Sequence, residues 1–137
     1  MAALANKSDR LPIRTPEDIV LVRQHVRKLA QGLGFSLVDQ TKVVTAASEL
    51  ARNTLIYGKG GWVTVELLER SGRRGLKAIF EDRGPGIPNI DEALRDGFTT
   101  GGGLGLGLGG AKRLSNDFEI QSRPGEGTRV AVTRWKA

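Results

Sequence analysis

Apolar residues recur every three or four positions in two stretches of the first half of the chain, which predicts two amphipathic helices. The first begins after a capping threonine, Thr15, and ends at Gly32 or Gly34. The second spans residues 36–56 and begins at a capping serine. Residues 11–14, which include a proline, predict a short edge strand before both helices.

Apolar and polar residues alternate in four stretches of the second half, which predicts two β-hairpins. Between the hairpins we expect a helical turn at residues 90–95 and a longer helix at residues 104–116. The alternating stretches are residues 62–68, 76–82, 118–122 and 129–135. This order predicts an α+β fold, a two-layer α/β sandwich whose mixed, mainly antiparallel sheet carries the helices on one face.

Composition narrows the classes of site that the chain can form. Its 137 residues suit a single domain over residues 1–137. The absence of cysteine excludes disulfides, thiolate metal sites and a cysteine nucleophile, and the single histidine, His25, excludes a site with two imidazoles. No apolar run approaches the ~20 residues that a membrane-spanning helix needs, and no signal peptide is visible, so a cytoplasmic protein is expected.

The net charge of +6 is consistent with a nucleic acid, an acidic partner or a nucleotide ligand, and equally with a solvated basic surface. The basic residues are spread along the chain, and aromatic residues make up only 5% of it. That pattern lacks the aromatic platforms on which single-stranded nucleic acids stack. We therefore expect neither a nucleic acid nor a membrane as a partner.

Glu49 and Asn53 are four residues apart in the second predicted helix and share one of its faces. An amide oxygen suits Mg²⁺, which keeps several waters and binds phosphate oxygens. A carboxylate one turn away can deprotonate a nucleophile. An ordinary exposed helix face is the alternative reading of the same two residues.

Residues 81–87 place an acid at the end of a strand, followed by two glycines. Asp82 can accept a hydrogen bond from an exocyclic amine such as that of adenine. Gly84 and Gly86 let the backbone pass close to a flat ligand. A plain turn is the alternative, since aspartate, glycine and proline are turn residues.

Residues 101–110 contain seven glycines and lead directly into a predicted helix. Free backbone amides at the start of a helix bind anions such as phosphates. The leading glycines also suggest a hinge for a mobile lid. A flexible linker would not explain the leucines that alternate with the glycines.

Other phosphate-binding patterns fit the chain less well. Gly58-Lys59 is followed by glycine, so there is no Walker A motif, and the protein-kinase motifs are absent. Gly105, Gly107 and Gly110 match the spacing of the dinucleotide fingerprint. They follow a loop rather than a strand, which disfavours a dinucleotide-dependent oxidoreductase.

Four motifs in register resemble the Bergerat ATP-binding fold of the GHKL superfamily, and the resemblance covers nearly the whole chain. They are Glu49 to Asn53 for the N box, Asp82-x-Gly84-x-Gly86 for the first glycine box, residues 101–108 for the second and residues 125–128 for the third. Within the superfamily the chain is similar to the bacterial anti-sigma-type serine/threonine kinases, above all to RsbT-like switch kinases of the stressosome. The bare-domain length and residues 81–88 and 96–102 carry that narrower resemblance.

The resemblance implies ATP and Mg²⁺ as cofactors and a role for each motif residue. Asn53 would ligate Mg²⁺, Glu49 would be the general base, and Asp82 with Thr128 would read adenine. Residues 88–102 would form the lid, and the sequence leaves the role of Arg52 open. The remaining nucleotide-binding residues would be Gly84, Gly86, Ile87, Gly101, Gly102, Gly103, Leu104, Gly105, Gly107 and Leu108.

The resemblance also implies a function. A kinase of this type phosphorylates a serine or threonine of a STAS-domain antagonist or scaffold protein in a bacterial partner-switching stress response. Once released, an RsbT-like kinase activates a PP2C-type phosphatase. The alternative is an ATP-gated anti-sigma factor that sequesters a sigma factor. Whether the chain forms a weak homodimer stays open.

Overall fold

The computed structural model describes residues 8–87, 89–94 and 106–136. Its helices and strands follow the order expected from the hydrophobic pattern. They are β1 (Ser8–Ile13), α1 (Pro16–Gly32), α2 (Leu37–Ile56), β2 (Gly61–Arg70), β3 (Arg73–Asp82), α3 (Ile90–Ala93), α4 (Leu106–Arg113), β4 (Asp117–Arg123) and β5 (Gly127–Trp135).

The five strands form one sheet in the order β1-β2-β3-β5-β4. Each of the four neighbouring pairs in this described sheet is antiparallel, so the sheet is antiparallel throughout rather than mixed. The predicted α+β fold is confirmed. The sheet order brings β5 between β3 and β4, which puts Thr128 directly opposite Asp82.

Alternation along the strands gives the sheet one apolar face, and the helices cover it. Val63 lies opposite Phe80 in the β2–β3 pairing, and Phe80 lies opposite Val130 in the β3–β5 pairing. All three side chains are buried in the core. The helices contribute further buried apolar residues: Val22, Val26 and Ala30 from α1, and Val43, Ala47 and Leu50 from α2.

Both long helices begin at the capping residues that the sequence predicts. The Thr15 hydroxyl accepts a hydrogen bond from the backbone N–H of Asp18, whose carboxylate accepts one from Thr15 in return. Ser36 accepts a hydrogen bond of 3.1 Å from the backbone N–H of Asp39 at the start of α2. No helix in the described part of the chain is long and apolar enough to cross a bilayer.

A largely buried ion pair joins the start of α2 to the sheet. The Nη2 atom of Arg134 donates to Asp39 Oδ1 at 2.8 Å, and its Nη1 atom donates to the carbonyl of Leu114 at 2.8 Å. The hydrogen bond from Arg134 lowers the pKa of Asp39 below its usual value, against the opposing effect of burial. These contacts fix the helix against β5 at the end remote from Asn53.

The turn between β2 and β3 has the geometry of a tight hairpin. Ser71 and Gly72 both have positive φ, at 52° and 78°. Two successive positive φ angles match the twist of the flanking strands. The predicted hairpin turn is therefore confirmed.

The single histidine, His25, lies inside the first helix, as the sequence predicts, and away from the glycine-rich motifs. His25 Nε2 is 3.2 Å from Asp9 Oδ2 in β1. It thus links α1 to the edge strand of the sheet.

Candidate functional site

A cavity lies between the second half of α2 and the ends of the central strands β3 and β5, with a volume of about 90 Å³. Mixed polar and apolar lining at such a place is typical of a small-molecule site. The lining residues are Leu50, Asn53, Thr54, Tyr57, Gly58, Phe80, Asp82, Pro85, Gly86, Ile87, Leu108, Thr128 and Val130. Six of the predicted site residues thus share one cavity: Asn53, Asp82, Gly86, Ile87, Leu108 and Thr128.

Asp82 is the carboxylate of this cavity. Its Oδ1 atom accepts a hydrogen bond of 2.9 Å from the backbone N–H of Gly84, and the backbone N–H of Thr128 also donates to it. Burial raises the pKa of Asp82, and the two backbone hydrogen bonds oppose that rise. A half-buried carboxylate that is held in place in this way can accept a hydrogen bond from a ligand.

Glycines around Asp82 let three backbone segments meet without side chains between them. A Cβ atom on Gly58 would collide with the Asp82 carboxylate, and one on Gly127 would collide with its carbonyl oxygen. A Cβ atom on Gly84 would lie 2.8 Å from the Cα of Gly58. The contact between Gly84 and Gly58 brings the predicted glycine box against the end of α2.

Ser122 ties the loop after β3 to the last hairpin. The backbone N–H of Ile87 donates to Ser122 Oγ at 2.7 Å, and Ser122 Oγ lies 2.8 Å from Thr128 Oγ1. The backbone N–H of Gly125 donates to the carbonyl of Pro85 at 2.8 Å. The hairpin thus forms one wall of the cavity and supports the loop that carries Ile87.

Asn53 and Tyr57 bring unpaired polar atoms to the α2 side of the cavity. Asn53 Nδ2 and Tyr57 Oη are both buried and have no hydrogen-bond partner in the described part of the chain. Buried polar groups are normally paired, so unpaired ones that line a cavity suit a polar ligand. Asn53 could contribute its amide to a phosphate-bound cation, and no cluster of three acidic or imidazole side chains competes with it within residues 8–87, 89–94 and 106–136.

Glu49 lies one turn before Asn53 on α2 and is not among the residues that line the cavity. Its side chain is 35% exposed. Arg52 Nη1 lies 3.9 Å from Glu49 Oε1, and the Arg52 side chain is 57% exposed. Arg52 therefore contacts Glu49 at the surface of the helix, which is the placement that the sequence left undecided.

The predicted phosphate loop lies largely outside the described residues. This applies to Gly101, Gly102, Gly103, Leu104 and Gly105, and to most of the predicted lid. Gly107 belongs to helix α4, and Leu108 in the same helix is buried against the cavity. The helix that the sequence predicts at residues 104–116 is confirmed over Leu106–Arg113, so it ends at Arg113 rather than at residue 116.

Three residues in or beside the cavity make contacts that were not predicted: Gly58 and Tyr57, which line it, and Ser122, which supports its wall from outside. Gly58 reads in sequence as the end of a helix, Tyr57 as part of its last turn and Ser122 as an ordinary strand residue. A signal existed only for Ser122, because strand alternation puts it on the same face as Ile120 and Phe118. Contacts between distant segments place Gly58 and Tyr57, and no local pattern reports them.

Known proteins match the chain over most of its length. It is 47% identical over 130 residues to the serine/threonine-protein kinase RsbT of Bacillus subtilis, covering 95% of this chain and 98% of that one. It is 31% identical over 118 residues to an anti-sigma F factor of Clostridium kluyveri, covering 82% of each chain. Its fold is similar to part of a structure of the RsbU and RsbW domains of a Mycobacterium tuberculosis protein, with a TM-score of 0.63 and 22% identity, covering 96% of this chain and 34% of that one.

Residues 38–136 match a family described as histidine kinase-, DNA gyrase B-, and HSP90-like ATPase. This range holds the second long helix and every strand except β1. The match and the identity to a kinase confirm the predicted ATP-binding fold and the predicted class of enzyme. The chain belongs to the histidine kinase-, DNA gyrase B- and HSP90-like ATPase family.

Proposed function

We propose that the chain is an ATP-dependent protein serine/threonine kinase of a bacterial partner-switching pathway. It phosphorylates a STAS-domain antagonist or scaffold protein of a stress response and, once released, activates a PP2C-type phosphatase in the cytoplasm. The 47% identity to a serine/threonine-protein kinase supports this proposal. The observation that carries it is the cavity in which Asp82 faces unpaired polar atoms of α2.

Asp82 and its neighbours bind the adenine. The Asp82 carboxylate accepts a hydrogen bond from the exocyclic amine, and Thr128 beside it contacts the ring. The flat base lies against the apolar walls that Ile87, Phe80 and Val130 provide. Gly84 and Gly86 have no side chains that would block its approach.

Asn53 is the residue of α2 that would hold the Mg²⁺ of the nucleotide, through its amide oxygen. The Nδ2 atom of Asn53 has no partner in the described structure, so turning the amide to present its oxygen to a cation breaks no hydrogen bond of that nitrogen. When bound, Mg²⁺ neutralises phosphate charge. The glycines at residues 101–105 and Gly107 bind the phosphates through backbone amides.

Glu49 takes the proton of the attacking hydroxyl. The serine or threonine oxygen forms a bond to the γ-phosphorus, the bond from that phosphorus to the bridging oxygen of ADP breaks, and the hydroxyl proton passes to Glu49. A protein substrate must approach from solvent, and Glu49 is partly exposed beside the cavity rather than inside it. Catalysis of this kind depends mainly on positioning and charge stabilisation.

A sequestering anti-sigma role is the second candidate. The 31% identity to an anti-sigma F factor favours it. An ATP-gated complex with a sigma factor would replace phosphoryl transfer as the main output. Binding to a sigma factor with no transfer to a STAS protein would decide for this role.

Phosphoryl transfer tests the proposal directly. Labelled Mg-ATP and a STAS-domain protein are mixed with the wild type, with Glu49→Ala and with Glu119→Ala, which removes an exposed carboxylate of β4. We expect label on serine or threonine of the STAS protein, a loss of about 10²–10⁴-fold in Glu49→Ala and no loss in the control. Nucleotide affinity should survive Glu49→Ala, and its loss there would overturn the assignment of Glu49 as the base.

A further inference from the structure

Ser122 lies behind the cavity wall, in contact with two residues that line the cavity, Ile87 and Thr128. It is the cross-strand partner of Thr128 in the β4–β5 pairing, and its hydroxyl lies 2.8 Å from that of Thr128. It also accepts the backbone N–H of Ile87 at 2.7 Å, from a residue 35 positions earlier in the chain. One side chain therefore connects the loop after β3 with the strand opposite Asp82.

We propose that Ser122 is a positioning residue that gives the cavity its preference for adenine. It holds Ile87 in place and, as a donor to Thr128 Oγ1, orients the Thr128 hydroxyl so that its hydrogen points towards a base. This inference rests on the proposed binding of ATP in the cavity. Ser122 itself has no contact with the nucleotide in this proposal and acts only through its two neighbours.

The hydrogen count of the two hydroxyls shows how this control works. A serine hydroxyl has one hydrogen and two lone pairs, and the Ile87 N–H occupies one lone pair of Ser122. Its hydrogen can be donated to the carbonyl of Gly127 at 3.2 Å or to Thr128 Oγ1 at 2.8 Å. In the first arrangement, Thr128 can donate its own hydrogen to Ser122.

In the second arrangement, the hydrogen of Thr128 is released and can be donated to a ligand in the cavity. Neither arrangement leaves a hydroxyl of the pair without a hydrogen bond. Ser122 therefore lets Thr128 turn its hydrogen towards a base at little cost. An alanine at this position would remove the acceptor for Ile87 and the hydroxyl that orients Thr128, so that Ile87 and Thr128 would both be held less firmly beside Asp82.

The resulting pattern of donors and acceptors matches adenine. Asp82 offers an acceptor and Thr128 a donor, and the two are directly opposite each other in the sheet. Adenine has an amine donor beside ring-nitrogen acceptors, whereas guanine has a carbonyl oxygen at the position of that amine. A guanine oxygen would face the Asp82 carboxylate without a hydrogen between them, which disfavours GTP.

Removal of the Ser122 hydroxyl should leave the fold intact. The loop after β3 keeps the hydrogen bond of 2.8 Å from the Gly125 N–H to the Pro85 carbonyl. The close approach of Gly86 to the backbone of Arg123 also remains. The effect is therefore expected in nucleotide binding rather than in folding, although the buried Ile87 N–H loses its acceptor.

Calorimetric titration of Mg-ATP and Mg-GTP into four proteins tests the inference. They are the wild type, Ser122→Ala, Ser122→Thr, which keeps the hydroxyl, and Gln121→Ala, which alters the exposed neighbour on the opposite face of β4. We expect the dissociation constant for ATP to rise about tenfold in Ser122→Ala. The preference for ATP over GTP should narrow in the same variant, and the other two variants should stay within about threefold of the wild type.

Steady-state kinetics and amide exchange separate positioning from a general structural role. In Ser122→Ala, KM for ATP should rise while kcat at saturating ATP stays within about twofold, and the Ile87 amide should exchange faster with solvent. If the wild type binds ATP and Ser122→Ala binds it equally well with the same selectivity, this inference alone fails. If the wild type binds no adenine nucleotide, the proposed function fails and the role of Ser122 fails with it. Equal impairment of Ser122→Thr and Ser122→Ala would also overturn the role of the hydroxyl.

Discussion

The two ends of α2 hold buried polar side chains in opposite ways. Near its start, Asp39 is paired with Arg134, which uses both of its terminal nitrogens as donors. Near its end, Asn53 Nδ2 and Tyr57 Oη are buried without partners in the described structure. Arg134 Nε is also buried without a partner in the described structure, but no cavity adjoins it in the lining described above. Unpaired groups beside a cavity cost stability and are available to a ligand.

We expect the largest change in activity from a substitution of Asn53. Replacing it by leucine, which has a similar volume and no polar atoms, should lower phosphoryl transfer at least a hundredfold. The free energy of unfolding without nucleotide should stay the same or rise by about 1 kcal/mol, because an unpaired buried amide is removed. Transfer assays and urea unfolding would measure the two effects.

A fall in stability in Asn53→Leu comparable to its loss of activity would break the contrast between the ends of α2. Asn53 would then be a structural residue. Thr45→Leu on the exposed side of the same helix is the matched control, and it should change neither quantity.

The opposite result is expected at the other end of the helix. Arg134→Ala leaves the largely buried Asp39 carboxylate without its partner and should lower the free energy of unfolding by about 1–3 kcal/mol. The affinity of the folded protein for ATP should not change. Arg23→Ala, which removes an exposed arginine of α1, is the control for the loss of a positive charge.

The acid side of the stability curve sharpens the same prediction. The pKa of Asp39 is lowered in the folded protein by the hydrogen bond from Arg134. The stabilisation that ionised Asp39 adds to the free energy of unfolding is therefore fully present above the unfolded pKa of about 3.9. It is lost as the pH falls through the lower pKa of the folded protein. Arg134→Ala should lose this part of the acid dependence, and an unchanged acid limb would show that the pair contributes little.

A smaller effect is expected from protonation of Asp82. Burial raises its pKa in the folded protein, so the carboxylate begins to protonate at a higher pH than an exposed aspartate. Affinity for ATP should decrease as the pH falls through that raised value, by at most about tenfold per pH unit. The stability of the nucleotide-free protein should change in the opposite direction. Its free energy of unfolding should rise as the pH falls towards the unfolded pKa, because the buried carboxylate that opposes folding becomes neutral.

Asp82→Asn distinguishes this titration from that of the nucleotide phosphates. The variant should bind ATP more weakly at neutral pH and should lack the Asp82 component of the pH profile. Identical pH profiles for the wild type and the variant would show that Asp82 does not govern binding in this range. Calorimetric titrations at several pH values would measure both.

Local patterns were enough to predict the secondary structure. The second helix was expected over residues 36–56 and spans Leu37–Ile56 with Ser36 as its cap, because capping and apolar spacing are properties of the segment itself. The strand expected at residues 129–135 begins two residues earlier, at Gly127. Glycine breaks the alternation that would otherwise reveal this start.

Contacts between distant segments limit the prediction of the site. Asp82 and Thr128 were both singled out, but their proximity depends on the sheet order that puts β5 beside β3. The pairing of Asp39 with Arg134 joins residues 95 positions apart and has no signature in either segment. The same limit explains why Tyr57 was missed. Strand alternation indicates the face on which Ser122 lies, but not its contacts with Ile87 and Thr128.

The contact between Gly58 and Asp82 has a consequence for the evolution and engineering of this chain. A side chain at position 58 would displace the Asp82 carboxylate, which we assign to the binding of adenine. A substitution of Gly58 that strengthens the end of the helix is therefore expected to weaken nucleotide binding. The neighbouring contact with Gly84 places the same demand on a third segment. Replacing any one of these residues would therefore require compensating changes in distant parts of the gene, and libraries that vary single positions would find few functional alternatives here.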